Sequence, residues 1–163
     1  MATQKVLEDI RDVFNIFHDG SIVEFSGDKN RLRLKIGCQY LAERIDKNFE
    51  FFHIELQKIN KLKFDAWMHN VDLPSVCFIE MEQIFAAELE ILSAEIKADF
   101  VEIACSQHDP EFDYCGGVLS LSCEEICVFD QGGNIVTVER LGKICKEYWE
   151  EWANAGAKRE EDR

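Results

Sequence analysis

Two places in the sequence hold side chains whose types and spacing suit chemistry. His18-Asp19-Gly20 sets an imidazole beside a carboxylate, a pairing that general acid/base catalysis uses. A basic group at a helix end followed by a glycine turn is also an ordinary capping device, and no serine or cysteine nucleophile stands at a recognised spacing from this pair. The second place runs from Cys105 to Cys127. Cys105-x-x-His108 has one interval that zinc sites use, but Cys123-x-x-x-Cys127 crosses an acidic turn between strands. The other intervals among Cys105, His108, Cys115, Cys123 and Cys127 match no tetrahedral pattern, so core or edge thiols are expected and no metal. Within the same region, His108-Asp109-Pro110-Glu111-Phe112-Asp113 packs potential oxygen and nitrogen ligands into six residues. It lacks the alternating oxygens and fixed bidentate carboxylate of a calcium loop. It reads as a solvated acidic loop able to meet basic side chains. A phosphate-binding glycine loop, a dinucleotide fingerprint and a nucleophile elbow are all missing from the sequence, and no cofactor is expected.

The charge around these residues is uneven. The chain has 163 residues, a net charge of −14 and a 47% apolar fraction, enough for one domain with a real core. From Met1 to Ala66 there are eleven basic and eleven acidic residues. From Trp67 to Val136 a single base, Lys97, stands against fourteen acids, a net −13. An acidic field of this kind serves solubility, and it also speeds capture of a basic partner. It argues against nucleic acid as a partner, because phosphates would be repelled. No apolar run approaches the roughly 20 residues of a membrane helix, and the opening segment has no signal-peptide core. Seven cysteines, an odd number, fit a reducing compartment better than a disulfide framework. A cytoplasmic location without membrane contact is the expectation.

The elements that must position these groups follow from periodicity. Val6, Ile10, Val13, Phe14 and Phe17 form one helical stripe, with Thr3 as its N-cap and Gly20 as its stop. Ile22–Ser26 and Arg31–Cys38 flank Gly27-Asp28-Lys29-Asn30 as a hairpin. One helical turn is expected between Gln39 and Asn48. Further strands are read at Phe52–Gln57, Lys61–Asp65, Ser75–Met81, Glu88–Ile96, Phe100–Ser106, Val118–Cys123 and Ile126–Phe129, with residues 82–98 ambiguous between helix and strand. A last helix is capped by Thr137, docks on the sheet through Leu141, Ile144, Cys145, Tyr148, Trp149 and Trp152, and stops at Gly156. No internal repeat is visible. The reading is a single α+β domain over residues 1–157 with a frayed charged tail at 158–163. Its core is a bent antiparallel sheet or partly open barrel of about eight strands between an N-terminal and a C-terminal helix.

The opening Phe17-His18-Asp19-Gly20-Ser21-Ile22 with its alternating hairpin resembles the entry to small uncharacterised bacterial families, some of them immunity proteins of polymorphic toxin systems. The resemblance covers about the first fifth of the chain. It implies a toxin-neutralising binder without a cofactor and transfers no site residue. The functional expectation is a non-enzymatic acidic protein that binds a basic protein partner. Glu88, Glu90, Glu102, Asp109, Glu111, Asp113, Glu124 and Glu125 are its contact candidates, presented on one side of the fold. The alternative is a small-molecule-binding or hydrolytic domain with a pocket at the barrel mouth that uses His18 or His108. A homodimer through an exposed strand edge is a third reading.

Overall fold

Alternating apolar residues turn one face of most strands inward, and all the strands join in one sheet. The structure is a computed structural model that describes residues 1–161. Helix α1 (Gln4–Ile16) precedes strands β1 (Ser21–Gly27) and β2 (Arg31–Gly37). A single turn, α2 (Gln39–Ala42), leads to the long β3 (Phe51–Met68) and the short β4 (Val76–Phe78). A second short turn, α3 (Met81–Ile84), precedes β5 (Leu89–Lys97), β6 (Phe100–Ser106), the long β7 (Tyr114–Asp130) and the short β8 (Ile135–Val136). Helix α4 (Val138–Glu161) follows. The fold is α+β, as expected, with every strand pair antiparallel.

The pairing has a two-fold plan that the sequence conceals. Strands β1–β2–β3–β4 form one meander and β5–β6–β7–β8 a second, each paired in chain order. The two meanders join along β3 and β7, which pair from Phe52↔Asp130 to Met68↔Tyr114. They meet again at β1 and β5 through only Ser21↔Glu90 and Ile22↔Leu89. Six strands therefore make an unevenly closed ring, and β4 and β8 lie on the outer edges of β3 and β7. Beyond the two-residue seam, the segments leading into each meander pack beside β5 and β1 of the other. The Asn15 amide docks on β5 like a strand, donating to Ala94 O at 2.9 Å and accepting from Ala94 N at 2.7 Å. Phe85, just after α3, packs on Phe25 of β1.

The core fills the ring and its junction with α1. Ile10, Val13, Phe14 and Phe17 are fully buried, as are Leu32, Leu34 and Ile36 of β2 and Phe52, Ile54, Leu56 and Phe64 of β3. Each such side chain contributes roughly 1.5–3 kcal/mol through burial. Thr3 and Thr137 cap as expected, accepting from Val6 N at 3.3 Å and Arg140 N at 3.1 Å. Cys38, Cys105 and Cys123 are buried, and that burial pushes their thiols up to about 12. Cys77 and Cys115 are exposed.

Several expectations need correction. The two expected strands at 52–57 and 61–65 are one strand, which continues through a positive φ of 51° at Lys58 and a one-residue register shift against β7 between Ile59 and Lys61. The strands at 118–123 and 126–129 are likewise one. Residues 75–81 yield only the three-residue β4 and the start of α3, while the ambiguous region does contain the strand β5. Asp19, with φ 69°, makes the left-handed turn after α1 that the sequence reading gave to Gly20. Helix α4 runs through Gly156 to Glu161, so residues 158–161 are helical, and Asp162 and Arg163 lie outside the described residues. Its aromatic stripe docks on α1 and α2 rather than on the sheet. Trp149 stacks on His18 at 5.3 Å and Tyr148 meets Tyr40 at 4.6 Å, while Trp152 is left 64% exposed.

Candidate interaction site

One end of the second meander gathers carboxylates because three elements finish there. Strand β5 begins at Leu89 beside the two-residue seam, β6 ends at Ser106, and the 107–113 connection leads into β7. Gln107 holds that connection in shape. It is 4% exposed, its Nε2 donates to Asp109 O at 3.0 Å and Tyr114 O at 2.7 Å, and its Oε1 accepts from Asp109 N. Asp109 Oδ1 then accepts from Glu111 N at 2.9 Å, which folds the acidic residues back over the strand ends. The alanines Ala86 and Ala87 leave room for a cleft of about 300 Å³ lined also by Ser21, Glu88, Glu90, Gln107, His108 and Asp109.

Three of the eight expected contact residues, Glu88, Glu90 and Asp109, line this cleft, and Glu111 and Asp113 stand in the same loop. Among the described residues none of these five carboxylates is ion-paired to lysine or arginine. The one cationic candidate nearby is His108, with Nε2 2.9 Å from Glu90 Oε2. The other three lie elsewhere. Glu102 faces Glu95 across β5–β6, and Lys97, 2.8 Å from Glu95, partly offsets that pair. Glu124 meets the N-terminal ammonium at 3.1 Å and Lys58 at 3.6 Å, contacts that hold its carboxyl below the usual range. Glu125, facing Gln57, lies eleven residues along β7 from Tyr114, roughly 35 Å of strand. The eight therefore do not gather in one place, contrary to expectation: Glu102 stands four residues along β6 from Ser106, and the length of β7 carries Glu124 and Glu125 away from the cleft.

The histidines tell a similar story. His18 Nδ1 donates to Asn15 O at 2.8 Å and its ring lies against Trp149, so it belongs to the packing between α1 and α4. His108 does meet an acid within hydrogen-bond reach. Ser106 Oγ, however, approaches the same nitrogen, Nε2, at 3.2 Å. A hydrolytic triad needs the serine and the carboxylate on opposite ring nitrogens, so that one orients the ring while the other takes the proton. This arrangement cannot activate Ser106 in that way. The residues from Cys105 to Cys127 weighed as zinc ligands do not converge, and no group of three metal-ligating side chains comes together among the described residues. No helix among them is long and apolar enough to cross a membrane. No family model matches the sequence, and comparison with curated proteins and with solved structures gave no match. The sequence reading passed over Gln107, Ala86 and Ala87, whose roles depend on burial and on space between strands and leave no mark in residue spacing.

Proposed function

We propose that this protein binds a basic protein partner through the acidic end of its second meander, with the Glu88–Glu90–Asp109 cleft receiving a lysine or arginine side chain. The observation that carries the reading is three carboxylates lining one cleft, with Glu111 and Asp113 in the adjoining loop, and no lysine or arginine ion-paired to any of the five among the described residues. A cleft of about 300 Å³ lies at the small end of the roughly 300–1,000 Å³ range of ligand pockets, and those are mostly apolar where this one is lined by three carboxylates. Its size and lining suit one cationic side chain better than a metabolite. A toxin-neutralising role, with a nuclease-like toxin as the basic partner, is the specific form that the His18-Asp19 resemblance supports.

The test is capture of partner from a lysate of the source organism at low salt, followed by a salt gradient. Wild type should release a basic protein steeply as salt rises. The Glu88→Gln/Glu90→Gln/Asp109→Asn variant should fail to retain it, since losing one buried interfacial carboxylate costs about 2–5 kcal/mol. Glu124→Gln/Glu125→Gln, at the far end of β7, should retain it. Retention that ignores salt, or that survives loss of the cleft acids, would overturn the proposal.

A further inference from the structure

The other concentration of unused chemistry lies along β4. Its Val76, Cys77 and Phe78 pair with Ala66, Asp65 and Phe64 on one side, and no strand lies on the other. Exposed sheet edges are usually guarded by lysine, proline or a covering segment. Here the three edge residues are apolar or thiol. Of the ten large apolar side chains strongly exposed among the described residues, five fall between positions 67 and 79: Trp67, Val71, Leu73, Val76 and Ile79. They lie around the edge, and Trp67, Met68, Val71 and Leu73 enclose a groove of about 320 Å³.

Charge decides what this edge can accept. His69 N donates to Asp113 O at 2.9 Å, which ties the edge to the acidic loop. Asp72, Glu80 and Asp113 lie near its ends with no ion-paired cation among the described residues, while the one paired cation beside it, Lys63, is taken up by Asp65 at 3.2 Å opposite Cys77. A row across the sheet then links it to the cleft: Trp67 faces Gly116, Gly116 faces Ser106, and Ser106 faces Glu90. Three strand spacings separate the ends of that row, roughly 14 Å, within the span of one ordinary interface. A second copy of the chain would bring another −14 to the same place and be repelled.

We infer that the free edge of β4 receives an extended segment of the basic partner, one that alternates apolar and cationic residues and adds to the sheet as a further strand. The inference rests on the proposed function and names the partner's chemistry. Backbone hydrogen bonds along β4 supply affinity. Alternate side chains meet Val76 on one face and Trp67 and Ile79 on the other, and the cations meet the flanking acids.

The experiment uses the full chain and three labelled seven-residue peptides, alternating lysine with valine, lysine with serine, and glutamate with valine, read by fluorescence anisotropy. The lysine–valine peptide should bind at least tenfold tighter than either of the others and should slow amide exchange at residues 75–79. Val76→Asn/Ile79→Asn, which changes no charge, should lower its affinity at least tenfold while leaving the thermal midpoint in place, both side chains being exposed. Equal binding of the lysine–valine and lysine–serine peptides, or full affinity in the asparagine variant, would overturn the edge site. If the Glu88→Gln/Glu90→Gln/Asp109→Asn variant then still lost affinity for lysine–serine, the acidic reading would stand without it. A dimer in sedimentation that the asparagine variant abolishes would assign the edge to a second copy and also overturn the inference.

Discussion

The two meanders pair their strands in the same order and carry opposite kinds of surface. On the first, charges answer one another within the sheet. The Arg31 guanidinium donates to both oxygens of the buried Glu55 at 2.9 and 3.3 Å, and Lys35 lies 3.8 Å from Glu24. Arg33 and Lys35 also rest over the Phe129 and Phe51 rings at 5.3 and 4.3 Å. On the second, Glu95 faces Glu102, and Glu90 faces Ser106. Inside, the halves differ just as much. Phe52 points inward opposite Ile36 at the end of the first meander, whereas the corresponding place in the second is Gly117 opposite Cys105. A Cβ on Gly117 would come within 2.6 Å of the Phe64 ring and closer still to Asp65 O, so β3 of the first half supplies the bulk that β7 omits. Strand pairing asks only for alternation, and it leaves charge and volume free to diverge.

The largest effect should come from breaking that shared packing. Phe64→Ala should cost about 3–5 kcal/mol by opening a cavity at a fully buried site. Gly117→Ala should cost about 1–3 kcal/mol or more by overpacking against backbone. In urea melts the double variant should be less destabilised than the sum, because removing the ring relieves part of the clash. Strict additivity would mean that Phe64 does not fill the place of Gly117. Next, the charge contrast predicts unequal costs for two charge deletions. Arg31→Ala strips the bidentate partner from a carboxylate that is 4% exposed and should cost about 1–3 kcal/mol, toward the low end because Arg33 and Gln57 remain nearby. Glu90→Gln should change stability by less than about 0.5 kcal/mol, because among the described residues no lysine or arginine is ion-paired to that carboxylate. Equal costs would erase the distinction between a sheet that uses its charges and one that presents them.

Thiol chemistry sharpens the inside–outside comparison further. At pH 8 a disulfide reagent should label Cys115 rapidly and Cys77 more slowly, since burial and the Asp65 carboxylate raise the Cys77 thiol, while Cys38, Cys105 and Cys123 stay unmodified until the chain unfolds. Mass spectrometry of the labelled positions reads the result, and early labelling of Cys105 or Cys123 would contradict the burial of those strands. The smallest effect belongs to His53, on the basic outer face of the first meander. Burial, and then Arg33 and Lys35, hold its imidazole below the ordinary value. The unfolded chain therefore binds the proton more readily, so this group's contribution to stability falls as pH drops from neutral through the unfolded value near 6.5. His53→Gln should flatten the dependence of the urea midpoint between about pH 7 and pH 5. An unchanged slope would remove His53 as the cause.

Much of this was legible in the residues. The stripe Ile10, Val13, Phe14 and Phe17 placed α1, the alternation of Leu32, Leu34 and Ile36 placed β2, and the threonine caps placed two helix starts. The polar run Gln57-Lys58 and Asn60-Lys61 hid the continuity of β3, because a bulge that preserves a strand interrupts its period of two. The repeat of the meanders was hidden for a related reason: Phe52 and Gly117 occupy equivalent places with nothing in common as residues.

The sequence by itself determined the α+β class, the buried face of strands such as β2 and the concentration of net negative charge in residues 67–136. Those properties depend on neighbours one to four residues apart, which set helical and strand periodicity and local charge density. Only the tertiary structure decided that the strands close into a ring, that Glu88, Glu90 and Asp109 meet around one cleft while Glu102, Glu124 and Glu125 do not, and that β4 keeps a free edge beside them. Register between strands far apart in sequence is fixed by how whole faces pack and how long strands bend, and that register chooses which carboxylates become neighbours.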